Sequence, residues 1–89
     1  MTAEHWEVQL KADGFSQVVT HTDPPDFYYP DHSHPVDTTH VVLLGDMSVS
    51  FEGKARIVKE GERLDVSKHV VHSAKIGSGG CTFLTGVRV

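Results

Sequence analysis

Cysteine is almost missing from this chain. Cys81 is the single one among 89 residues, so no internal disulfide can form. A small buried thiol in a reduced, intracellular protein is the expectation. Long apolar runs are missing too, and nothing approaches the roughly 18 apolar residues that a membrane span needs. The first ten residues lack the basic start and apolar centre of a signal peptide, so a cytoplasmic protein that meets no membrane is expected. Basic charge is sparse. Eight Lys and Arg stand against 12 Asp and Glu, a formal net charge of −4, and they form no stripe. That distribution argues against nucleic acid as a partner. No convincing helical pattern, internal repeat, linker or low-complexity segment is visible.

A chain of this length is one domain, 1–89. It buries only about 60–70% of the surface its unfolded form exposes, so a metal or a partner subunit adds usefully to its stability. Short runs rich in Val, Thr, Phe and Tyr alternate with Gly, Pro, Asp and Ser, which suggests an all-β sandwich or barrel. The pattern predicts strands near Trp6–Lys11, Phe15–Thr20, Phe27–Tyr29, Thr38–Leu44, Met47–Phe51, Lys54–Val58, Arg63–Val66, Val70–Lys75 and Cys81–Val89. The core barrel then covers about 15–89, with an N-terminal strand over 5–11. Glu52-Gly53 reads as a two-residue hairpin turn, because glycine supplies the positive φ such turns require. Gly45-Asp46 and Glu60-Gly61 read as further turns. Gly77 to Gly80 reads as a mobile hairpin tip, since it has no Lys-Ser/Thr pair and opens no helix, as a phosphate loop would. Asp23-Pro-Pro-Asp26 is a loop, because proline lacks the ladder donor.

Histidine is what the chain does have: seven residues, four of them in a suggestive order. His32 and His34 are two apart, so an extended backbone turns both imidazoles to one side. Pro30 and Pro35 bracket the pair and hold it extended. Two nitrogen donors at one point begin a metal site, and His40 and His72 are candidates to complete it. In the strand that follows, Thr38, His40 and Val42 share one face, and Thr39, Val41 and Leu43 share the other. Two polar residues of three on a lumen-facing side suggest a cavity for a metal or ligand.

The run His32-x-His34-x3-Thr38-x6-Gly45 resembles the first signature of the cupin superfamily, and Gly61-x10-His72 resembles the second. The Met47–Val58 hairpin between them is similar to the family's pattern as well, and the likeness spans roughly residues 20–88. It implies a cupin-type jelly-roll barrel (a double-stranded β-helix) with one divalent transition metal inside: Zn, Fe, Ni, Mn or Cu. The family's three His ligands fall on His32, His34 and His72. Its glutamate falls on Thr38, a poor ligand. Either His40 supplies a fourth nitrogen, or three His leave positions open to water or substrate. Asp37 is a weaker candidate, because a regular strand turns it to the other face. At the family's Pro-x-Gly turn stand Ser67-Lys68-His69, where His69 takes the glycine position as a rim residue rather than a ligand.

An all-imidazole shell leaves the ion its full charge, which favours anionic ligands and Lewis-acid chemistry. Similar cupins include metal-dependent dioxygenases, isomerases and decarboxylases acting on small polar molecules. A non-catalytic sensor barrel and a purely structural metal are the alternatives. Among Phe27, Tyr28 and Tyr29, one Tyr is a candidate to line the lumen. A homodimer is expected, with the strands around Trp6 and Phe83–Val89 as candidate contacts.

Overall fold

Residues 2–88 are described by a computed structural model. Met1 and Val89, inside the expected bounds of 1–89, lie outside the described residues. The elements are helix α1 (Ala3–Ala12) and strands β1 (Ser16–Asp23), β2 (Tyr28–His32), β3 (Thr38–Phe51), β4 (Lys54–Lys59), β5 (Arg63–Val66) and β6 (His72–Val87).

The strand expected over 5–11 is instead the helix α1. Its ends explain it. The Thr2 hydroxyl caps the start by accepting from the His5 N–H at 3.2 Å. Glu4 in the first turn and Lys11 in the last complement the helix dipole. At the other end Gly14 adopts φ +92, and two backbone bonds reach back, Gly14 N–H to Lys11 and Phe15 N–H to Leu10. This is the Schellman stop, and Phe15 and Leu10 also pack on each other's cluster, as that stop favours. Between the ends, Ala, Glu, Gln, Leu and Lys are good helix formers.

β3 and β6 lie side by side along their full length and set the architecture. Residues 38–42 of β3 pair with 83–87 of β6, and residues 47–51 pair with 72–76. β5 adds to the first half of β3 and β4 to its second half. β1 pairs with the later half of β6 and β2 with its earlier half. The result is two antiparallel layers, β1–β6–β3–β5 and β2–β6–β3–β4, joined where the two long strands bend. The bend falls at register shifts between Val42 and Met47, with Gly45 at φ +83 and Gly80 at φ +81. A Cβ on Gly45 would sit 2.1 Å from the Gly80 carbonyl oxygen, so only glycine permits this approach. Gly45-Asp46 and the Gly77 to Gly80 stretch are therefore not turns. They are bends inside continuous strands, and the expected hairpin tip is a paired part of β6.

The other turns stand as expected. Glu52 and Gly53 take φ +50 and +81 at the β3–β4 hairpin, and His69 takes φ +66. Residues 24–27 form the loop between β1 and β2.

Two apolar clusters result. Between the layers lie Val42, Met47, Val49, Val58, Leu64, Val66, Ile76, Cys81 and Phe83. On the outside of the first layer, α1 covers Val41 and Leu84 with Leu10 and Phe15, and Trp6, Val18 and Leu43 pack at the edge. Arg63 ties the helix end to β5 through Asp13 at 2.5 Å and Asp65 at 2.8 Å. Arg88 lies over the Phe15 ring at 4.3 Å and reaches Asp37 at 3.1 Å. The segments expected to make a dimer contact are thus engaged within the chain. Trp6 packs on its own barrel, and β6 is hydrogen-bonded along both edges.

Candidate metal centre

His32 closes β2, and His72 opens β6 directly opposite it in register. His34 follows in the connection to β3, where its carbonyl accepts the His69 N–H at 2.8 Å. The positive φ at His69 turns the chain for that bond, so the rim histidine supports the site through its backbone while its side chain is exposed.

The three rings converge. Centroids are 5.0 Å apart for His32 and His34, 4.3 Å for His32 and His72, and 5.4 Å for His34 and His72. One nitrogen from each lies within 4.8 Å of the others. Nitrogens sharing one ion at about 2.0–2.1 Å stand roughly 3.4 Å apart in a tetrahedral set, a gap that ring rotation closes.

Tautomers are fixed from behind. His32 Nδ1 donates to the Pro30 carbonyl at 2.7 Å, and His72 Nδ1 to the Val70 carbonyl at 2.9 Å. A carbonyl only accepts, so each Nδ1 carries the proton and each Nε2 keeps its lone pair for a ligand. His72 Nε2 is buried and has no hydrogen-bond partner. Burial, with His32 and His72 nearby, holds the His34 imidazole below its usual range, which favours the neutral form that a metal requires. The residues therefore fit a divalent ion.

His40 lines the same cavity but stands outside the group of three. It sits on β3 opposite Thr85. Burial pushes its imidazole down to about 4, helped by His72, His34 and His32, and its buried Nδ1 has no partner. Thr38, two residues before it, is 4% exposed, and its hydroxyl is unpartnered as well. Asp37 faces away, as the strand alternation requires. Its carboxylate accepts from the Lys68 backbone N–H at 2.8 Å and from Arg88, and these hold it below the usual carboxylate range.

The cavity holds about 290 Å³. Tyr29 lines it, and its hydroxyl donates to Asp23, whereas Tyr28 is exposed. Burial and the Asp23 bond push the Tyr29 phenol up to about 12, so it stays protonated. Cys81 is buried, and burial raises its thiol to about 11, which removes it as a nucleophile.

Sequence reasoning passed over the supporting groups. The Pro30 and Val70 carbonyls act at the same offset, two residues before each ligand candidate, a relation readable wherever a histidine sits on an extended segment. His21 and Thr85, which also line the cavity, were readable only from the pairing of β1 and β3 with β6.

No protein-family model matches the sequence, and neither does any curated protein. Solved structures do match in shape. A cupin-2 domain containing protein from Shewanella frigidimarina aligns with TM-score 0.70 and 18% identity, over 82% of this chain and 69% of that one. KdgF from Halomonas sp. aligns with TM-score 0.69 and 19% identity, over 81% of this chain and 67% of that one. The DMSP lyase DddQ from Ruegeria pomeroyi aligns with TM-score 0.73 and 22% identity, over 81% of this chain. The match spans about two thirds of the length of the first two and 37% of the third.

Proposed function

From a chain with the fold of the cupin superfamily, we propose a small metal-binding cupin that holds one divalent transition metal on His32, His34 and His72 and binds a small polar or anionic molecule there. The observation that carries this is the convergence of three ring nitrogens, two of them freed at Nε2 by backbone carbonyls behind them. A bound ion would supply Lewis acidity toward an anionic head group. The chain's own part is to keep the imidazoles neutral and oriented and to shape an apolar lumen beside them.

A purely structural metal is disfavoured, because His40 stays outside the group and a cavity opens beside the three imidazoles. The structural neighbours include a lyase, and a dioxygenase, isomerase, decarboxylase or lyase reaction suits an ion with open positions. Sensing without turnover uses the same geometry, and product formation from the bound ligand divides the two. Homodimer assembly belongs to the proposal as well, with β4 as one candidate edge: among the described strands it pairs with β3 alone, as β1, β2 and β5 each pair with one strand, and it carries Ile57 at 58% exposure.

Elemental analysis of protein prepared without an affinity tag tests the reading. One equivalent of metal is expected in the wild type and in His40→Leu, and none in His72→Ala. Stoichiometric metal in His72→Ala would overturn the assignment.

A further inference from the structure

We infer that Thr38 and His40 form a recognition subsite for a neutral hydroxyl or carbonyl group on a small carboxylate whose other end is held at the metal. This rests on the metal reading above. Thr38 and His40 lie two apart on β3, on the lumen side, across the cavity from β2 and the start of β6 that carry His32 and His72. Thr38 is 4% exposed, and both its hydroxyl and His40 Nδ1 are buried without partners. Buried polar groups nearly always have partners, so two orphans on residues two apart that line one cavity point to a ligand that completes them.

The rest of the wall narrows the class. Met47, Ile76 and Phe83 make it apolar, and no Lys, Arg, Asp or Glu is among the described residues lining it. A second charge on the ligand would be buried with nothing to balance it. Dicarboxylates and zwitterions are therefore disfavoured, and a monocarboxylate with one hydroxyl or oxo group fits. At about 290 Å³ the cavity lies at the small end of ligand sites, so the molecule is short.

Calorimetric titration of the zinc-loaded protein with butyrate, 3-hydroxybutyrate and succinate tests this. 3-Hydroxybutyrate is expected to bind about tenfold more tightly than butyrate, and succinate more weakly than either. In Thr38→Val the hydroxyl preference should vanish, with zinc stoichiometry and butyrate affinity unchanged. Thr38→Ser should keep the preference. Equal affinity for the first two probes, a preference that survives Thr38→Val, tightest binding of succinate, or no carboxylate binding to zinc-loaded protein would overturn the subsite alone. A wild type that takes up no zinc would overturn the metal reading and the subsite with it.

Discussion

Thr38 and Thr39 are neighbours on β3, alike in chemistry and both buried, yet they end in opposite states. Thr39 faces outward, under the helix side of the barrel, and its hydroxyl donates to Asp65 at 2.7 Å. Thr38 faces the lumen, and its hydroxyl has no partner. The contrast extends to the two faces of the barrel wall. Outside, Asp13, Asp37, Asp65, Arg63 and Arg88 answer one another in hydrogen bonds and ion pairs. Among the described residues, the buried side-chain atoms without partners are Thr38 Oγ1, His40 Nδ1 and His72 Nε2, all on the lumen side. An unsatisfied buried polar group costs about 1–3 kcal/mol. The molecule carries that cost where a metal and ligand would relieve it, and keeps its outer wall satisfied.

The sharpest test of this division is to weaken the outer wall alone. Leu84 is fully buried in the cluster under α1, with Leu10, Phe15 and Val41. Leu84→Ala should lower unfolding free energy by about 2–5 kcal/mol, read by urea denaturation. The folded fraction should still bind one equivalent of metal. Loss of metal without loss of stability would show that the two faces are not separate.

Acid should separate the faces as well. His40 titrates at about 4 when folded and near 6.5 when unfolded. Above about pH 6.5 the imidazole is neutral in both states, so it adds no pH dependence there. As pH falls from there toward 4, the unfolded chain takes up the proton first, and stability drops by up to about 3 kcal/mol. His34, also lowered by burial, acts in the same direction. On the outer wall the sign is the same but the window lies lower. The Arg63 hydrogen bond lowers Asp13, and the Lys68 N–H lowers Asp37. Their contributions are present above the ordinary carboxylate value, about 3.9, and are lost only below it. Urea unfolding of metal-free protein across pH 7 to 3 should show two phases, and His40→Leu should flatten the upper one.

Much of the lumen was legible before the fold was known. The His32 and His34 doublet, the shared face of Thr38, His40 and Val42, and the left-handed turn at Glu52-Gly53 followed from local chemistry, whereas His72 as their companion and the turn at His69 were expected only from the resemblance to the cupin signatures. The helix did not. Trp6 and Leu10 are four apart, but Val8 between them is 71% exposed, so the apolar residues mimic a strand's alternation. The capping role of Thr2 and the stop at Asp13-Gly14 were the signals that outweighed it. The bends at Gly45 and Gly80 were hidden for a different reason. A glycine at positive φ serves a turn or a bend equally well, and only the approach of Gly45 to Gly80, far apart in sequence, distinguishes them. His40 shows the limit at the site itself. Its face was readable, but whether its nitrogen joins the other three depends on how the two layers sit across the lumen.

The smallest effect returns to the paired threonines, where the sign matters more than the size. Thr39→Val removes a donor to Asp65, which keeps Arg63 as its partner, so a loss of about 1 kcal/mol is expected. Thr38→Val removes a hydroxyl that bonds to nothing in the protein, and an apolar group of the same shape relieves its desolvation. That variant should be neutral or slightly more stable when metal and ligand are absent, as measured by thermal and urea unfolding side by side. Equal destabilisation by both would mean the lumen hydroxyl already has a partner when no ligand is bound, and the difference between the two faces would fail at the residue that defines it.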